Sequence, residues 1–174
     1  VKPANLLLDT KGHVWVTDFG LAKTQGGETL TRAGDVVGTL SYMAPERFEG
    51  WSDPRSDVYS LGLTLYELLT LKRGFEASDR HALIKKVTEE EPVRPRRLDP
   101  RIPRDLETIV LKSIAKEPGK RYQAAEQMEG DLRRYLEGKA IGARRSTAGE
   151  RAWLWCRRNP VVATLGALAV VLLA

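Results

Sequence analysis

The sequence predicts an α+β domain, mainly α, in which a short β-hairpin precedes a bundle of helices. Two apolar triplets, Leu6-Leu7-Leu8 and Val14-Trp15-Val16, flank the turn Asp9-Thr10-Lys11-Gly12, so Asn5 to Thr17 reads as a hairpin. From Asp53 onward, apolar residues recur at helical spacing in four separate stretches. With 174 residues, 42% of them apolar, the chain can bury one core.

The elements follow in order. Residues 21–43 are rich in Gly, Thr and Ser and poor in large apolar groups, which suits a loop. Asp53-Pro54 then starts a long helix, Asp53 as N-cap and Pro54 at the first helical position. Val58, Leu61, Leu65, Leu68 and Leu69 keep i, i+3, i+4 spacing, while Leu63, Tyr66 and Leu71 fill the other side. A helix apolar around most of its circumference belongs in the middle of a domain. A second helix is expected from about Ser78 to Glu90, and the Pro-rich stretch from Glu91 to Pro103 reads as a stiff connector. Leu106, Ile109, Val110 and Ile114 mark a third helix, closed by Pro118-Gly119. A fourth, about Gln123 to Glu137, places Ala124, Ala125, Met128, Leu132 and Leu136 on its inner face. No internal repeat is visible.

The net charge of +5 is local. Residues 1–138 carry 22 Lys+Arg and 22 Asp+Glu, whereas 139–159 carry Lys139, Arg144, Arg145, Arg151, Arg157 and Arg158 against Glu150. The basic balance therefore describes one segment, and no nucleic-acid partner is expected. A single cysteine, Cys156, excludes an internal disulfide and a cysteine-rich metal site. His13 and His81 are far apart and have no ligand-like neighbours. Arg94, Arg96, Arg97, Arg101 and Arg104 read either as a solvated connector or as a dock for an acidic partner. Residues 161–174 contain no charge, and Trp153, Trp155 and a run of arginines precede them. A full span needs about 20 apolar residues, so this is either the start of a membrane helix with its aromatic and positive flank or a buried terminal helix.

Three motifs stand in fixed order: Lys2-Pro3-Ala4-Asn5, Asp18-Phe19-Gly20 and Ala44-Pro45-Glu46. Asp18 follows Asn5 by thirteen residues, across the hairpin. An amide oxygen and a carboxylate so placed can share magnesium, although Asn5 alone equally suits a turn cap. In this order the motifs resemble the C-terminal lobe of a bacterial Hanks-type Ser/Thr protein kinase, from Val1 to about Gly138. The implied layout is a kinase lobe over 1–138, a basic juxtamembrane segment over 139–159 and the start of a transmembrane helix over 160–174.

The resemblance implies ATP and Mg²⁺ as cofactors and a protein Ser/Thr hydroxyl as acceptor. Lys2 would touch the transferring phosphoryl group, Asn5 and Asp18 would bind Mg²⁺, and Leu7 would form part of the adenine floor as well as a core strand residue. Phe19 would pack under a small-lobe helix, and Gly20 would let the loop turn. Thr39, after Gly38, would contact Lys2 and the catalytic Asp, which would immediately precede Val1. Asp18 to Glu46 matches an activation segment, in which Thr29 and Thr31 are either phosphorylation sites or merely solvated. Glu46 would pair with Arg121, in a Glu117-to-Arg121 motif (Asp-Pro-x-x-Arg in the family) where Glu117 replaces the usual Asp. Asp57 would bond the catalytic-loop backbone or, more simply, sit at a helix first turn.

The resemblance thus implies a single-pass cell-membrane protein with its kinase lobe on the cytoplasmic side, transferring phosphate in signal transduction, with trans-autophosphorylation in a homodimer. The segment alone is expected to be inactive, for want of the catalytic Asp, a Gly-rich loop and a small-lobe Lys, and poorly soluble, because Phe19 and part of the Asp53–Leu71 helix would face water uncovered. A pseudokinase or membrane-tethered scaffold is the alternative, against which the intact Lys2, Asn5, Asp18 and Gly20 argue. The basic Trp-containing segment could also bind anionic lipid in its own right.

Overall fold

The computed structural model describes residues 1–17, 38–144, 149, 155–157, 159–161 and 164. It forms two compact units, Val1–Met128 and Glu129–Ala174. In the first, a 3₁₀ turn (Pro3–Asn5) leads into the antiparallel strands β1 (Leu6–Leu8) and β2 (Val14–Val16), with Leu7 opposite Trp15. Asp9 organises the turn: one carboxylate oxygen accepts from the Lys11 and His13 N–H groups, both at 2.8 Å, and the other from the Trp15 indole at 3.3 Å. The His13 backbone bond foremost, against a little desolvation, holds the Asp9 carboxyl below its ordinary value.

The helices are α1 (Pro45–Phe48), α2 (Pro54–Thr70), α3 (Arg80–Glu89), α4 (Pro95–Leu98), α5 (Arg104–Ser113) and α6 (Ala125–Leu136). Asp53 caps α2 as its sequence predicts, accepting from the Arg55 N–H at 2.8 Å while its own N–H donates to Ser56 Oγ at 3.3 Å. Asp79 caps α3 in the same way, through the Ala82 N–H at 2.8 Å. α2 is the central helix and packs on α4 and α5. It comes close to the end of α5 at Gly62, where a Cβ would lie 2.6 Å from Ser113 Cβ and 2.7 Å from Ile114 Cγ2. The core is built from Tyr59, Leu63 and Tyr66 of α2, with Leu40, Tyr42, Phe75, Leu83, Val87, Val110 and Ile114.

Several expectations need correction. The buried face of α2 carries Val58, Tyr59, Gly62, Leu63 and Tyr66 with Ser56, Ser60 and Thr64, whereas Leu68 is 55% and Leu71 88% exposed. Neighbours that hydrogen-bond to small polar side chains select that face; the leucine count does not. The Pro-rich connector contains the one-turn helix α4, with Pro95 at its first position. The hairpin buries none of its strand residues; Leu7 is 54% exposed and is therefore not a core residue of the described fold. A two-stranded sheet has two faces to cover, and no described element covers them.

The second unit contains the last turns of α6, closed by Gly138 in the left-handed region (φ 64), with the Lys139 N–H donating to Arg134 O at 2.7 Å. Asp131 is buried and accepts from the N–H groups of Gly142 and Ala143 at 2.6 and 2.8 Å. Leu136, expected on the inner face of this helix, is 81% exposed. Most of 160–174, including all of 165–174, lies outside the described residues; among the described residues no helix is long and apolar enough to cross a membrane.

Candidate phosphoryl-transfer site

Lys2 is held extended (φ −143, ψ 158) at the mouth of the 3₁₀ turn, whose first residue is Pro3. The Asn5 N–H donates to Lys2 O at 2.9 Å, and Asn5 O accepts from the Thr17 N–H at 2.8 Å and its hydroxyl at 3.2 Å. These bonds fix Lys2 and Asn5 to both ends of the hairpin. The Thr64 hydroxyl of α2 lies 3.4 Å from Val1 O, so the same segment rests on the central helix.

The Lys2 ammonium donates to Thr39 Oγ1 at 3.1 Å, joining residues 37 apart in the chain. Thr39 is exposed and Lys2 partly so, hence a solvent-borne anionic group can reach the ammonium. A cation presented beside a hydroxyl in this way can offset charge on a phosphoryl group in transfer.

A buried ion pair anchors the segment that carries Thr39. Both Arg121 terminal nitrogens donate to Glu46, at 2.7 and 2.8 Å, and Ser56 Oγ donates to Glu46 Oε1 at 2.6 Å. The other three guanidinium donors reach Ala115 O at 2.7 Å, Arg55 O at 3.1 Å and Lys116 O at 2.8 Å. All five Arg121 N–H groups are therefore satisfied. Burial pushes the Glu46 carboxyl up, but the hydrogen bonds from Arg121 and Ser56 outweigh it and hold it below the ordinary glutamate value. From Glu46 backwards, Ser60 Oγ donates to Tyr42 O at 2.8 Å, and the Tyr42 N–H to Thr39 O at 3.2 Å.

Tyr42 also brings in residues that no motif or spacing marks. Its hydroxyl donates to Glu67 Oε2, and burial, then Glu67, pushes its proton affinity up. Arg73 interacts with the same phenol, and its Nη1 is 3.9 Å from where a Gly38 Cβ would stand.

Of the other residues singled out, Leu7 lies on the exposed hairpin, and Asp57 is exposed in the first turn of α2. Asp18, Phe19, Gly20, Thr29 and Thr31 lie outside the described residues. Among the described residues no three His, Cys, Asp or Glu side chains gather as a metal cluster. By residue type, the Asn5 amide oxygen and the Asp18 carboxylate are hard oxygen ligands of the kind Mg²⁺ takes beside phosphate.

The protein kinase domain family model matches residues 1–132. The chain belongs to the protein kinase domain family. Its relatives include a probable serine/threonine-protein kinase of Streptomyces coelicolor, 42% identical over 146 residues, which cover 82% of this chain and 22% of that protein. Serine/threonine-protein kinase PrkC of Bacillus subtilis is 35% identical over 151 residues, 86% of this chain and 23% of that one. Serine/threonine-protein kinase PknB of Mycobacterium tuberculosis is 39% identical over 142 residues, 80% and 23% respectively. The chain spans less than a quarter of the length of these curated relatives. Within this domain Lys2 meets Thr39, and the Glu46–Arg121 pair anchors the segment that follows Thr39.

Proposed function

We propose that the protein containing this chain is a Ser/Thr protein kinase that transfers the γ-phosphoryl group of ATP to a protein hydroxyl. The observation that carries the proposal is the Lys2–Thr39 hydrogen bond, which gathers a cation and the hydroxyl-bearing segment at one solvent-open point. Lys2 offsets charge on the phosphoryl oxygens as the bond to the leaving nucleotide loosens, and Thr39 orients the Lys2 ammonium. Asn5 and Asp18 would hold Mg²⁺, which when bound neutralises the nucleotide phosphates. The names of the relatives support Ser/Thr as the acceptor class.

The same proposal places the protein in the cell membrane, single-pass, with its kinase domain on the cytoplasmic side. The uncharged run 161–174 behind Trp153, Trp155 and the arginines supports that placement. Thr29 and Thr31 are its candidate activation-loop phosphorylation sites, filled in trans within a homodimer.

The test uses the full-length protein with ATP and Mg²⁺ on matched Ser, Thr and Tyr peptides. Transfer to Ser and Thr but not Tyr is expected, reduced about a hundredfold or more by Lys2→Met, the size of effect typical of removing one electrostatic stabiliser. Absence of transfer to every peptide and to the protein itself, with the protein folded, would favour the scaffold alternative.

A further inference from the structure

We infer that Arg73 is a specificity-determining residue that reads an acidic group in the acceptor peptide, within three residues of the hydroxyl being phosphorylated. This inference rests on the kinase reading above. It begins from an unusual neighbour of the site: the guanidinium of Arg73 stands 3.9 Å from the Cβ position of Gly38, the residue immediately before Thr39. Glycine carries no side chain there, so the exposed guanidinium, which also meets the Tyr42 phenol, stands next to the backbone just before the point where Lys2 meets Thr39.

The guanidinium is also positioned by its surroundings. α2 ends in a left-handed cap at Leu71 (φ 56), whose N–H donates to Glu67 O at 2.7 Å. Thr70 Oγ1 lies 3.0 Å from Lys72 O, and Phe75, two residues past Arg73, is buried in the core. The loop bearing Arg73 is therefore pinned on both sides, while Arg73 itself is exposed. The nearby acidic group, Glu67, already accepts the Tyr42 hydroxyl, and Arg73 interacts with the same phenol from the solvent side, where its guanidinium is exposed.

Reach decides what the cation can read. An extended peptide advances about 3.3 Å per residue, so side chains one to three residues from the acceptor fall within about 10 Å of the Lys2–Thr39 point. A planar guanidinium pairs with a carboxylate or a phosphate through two parallel hydrogen bonds, whereas a basic residue there meets like charge.

The experiment uses the full-length protein and a neutral acceptor peptide, varied one position at a time to Asp or Arg from three residues before to three after the hydroxyl. Wild type is expected to favour Asp over Arg in kcat/KM by about fivefold or more at one position, the scale of an exposed ion pair, falling as salt rises. Arg73→Glu is expected to invert the ratio at that position alone, and Arg73→Lys to keep its sign. An Asp/Arg ratio near one in wild type, or unchanged in Arg73→Glu, overturns the inference while leaving the kinase reading intact. Failure to phosphorylate any peptide or the protein itself overturns the kinase reading, and the inference falls with it. Because Arg73 is exposed, a melting curve matching wild type is expected for each variant.

Discussion

Replacing Arg121 tests the foundation of the fold most directly. Both partners are almost wholly inaccessible, the guanidinium at 0% and the carboxylate at 3% exposure. Arg121→Ala leaves the Glu46 carboxylate without its cation, held by Ser56 and a backbone N–H, and deprives the carbonyls of Arg55, Ala115 and Lys116 of donors. Removing one partner of a buried pair destabilises by about 3–5 kcal/mol. The orphaned carbonyls place this case at the upper end, about 5 kcal/mol, with some relief if water enters the space. That lowers Tm by about 10–20 °C for a domain of this size and approaches the whole stability of many domains. The gentler Arg121→Lys keeps a charge but cannot make the two-pronged contact, and about half the loss is expected. Urea midpoints for Arg121→Met, Glu46→Gln and the double variant complete the cycle; the double should lose clearly less than the sum of the singles. The acid side gives an independent readout. Glu46 is depressed in the folded state, so its contribution is present above the ordinary glutamate value of 4.5 and is lost as pH falls through the folded value; Glu46→Gln should flatten that loss. Additive singles, or an Arg121→Lys variant within about 0.5 kcal/mol of wild type, would refute the reasoning.

Leu71→Gly should stabilise the protein by about 0.5–1 kcal/mol. A left-handed φ of 56 costs an L-residue about 1–2 kcal/mol, glycine's entropy returns part of that, and an 88% exposed leucine gives up little burial; thermal melts measure it. Gly62→Ala should destabilise by about 2 kcal/mol in denaturant titration, because the overpacking against Ser113 and Ile114 exceeds the helix-propensity gain. Lys116 gives a signature on the alkaline side. Burial lowers its ammonium from 10.5 to about 8, so between those values the unfolded chain binds more protons and stability rises with pH; Lys116→Met should remove that rise in pH-dependent melts.

Elements defined by local chemistry are legible in the sequence. Asp53 precedes its helix and caps it, and Asp9 with Gly12 marks the hairpin turn, because each acts on residues only a few positions away. Features that depend on distant neighbours are not legible in this way. The buried face of α2 is chosen by Tyr42, Glu46, Ser113 and Ile114, far away in the chain, so its leucine spacing points to Leu68, which faces water. Asp131 is buried because two N–H groups eleven and twelve residues onward return to it, and nothing in its local sequence announces that. In the site, Lys2, Thr39, Glu46 and Arg121 are recognisable through family resemblance alone, since no periodicity connects positions 37 or 75 residues apart. Arg73 has neither a motif nor a period to mark it.

Stability and function in this domain are linked by geometry. Thr39 is exposed and residues 41–44 lie in no strand or helix, so among the described residues one side of its position is set by the segment that follows it. That side is a chain of short bonds: Arg121 grips Glu46, Ser56 of α2 donates to the same carboxylate, Ser60 one turn later donates to Tyr42 O, and Tyr42 returns to Thr39 O. The Lys2 side rests on α2 as well, where Thr64, one turn beyond Ser60, meets Val1 O. One face of one helix therefore carries both halves of the Lys2–Thr39 contact, using small hydroxyl side chains at successive turns. This explains why α2 buries Ser56, Ser60 and Thr64 while Leu68 faces water. A larger apolar residue at any of the three positions would fill space but remove a bond that aligns the site.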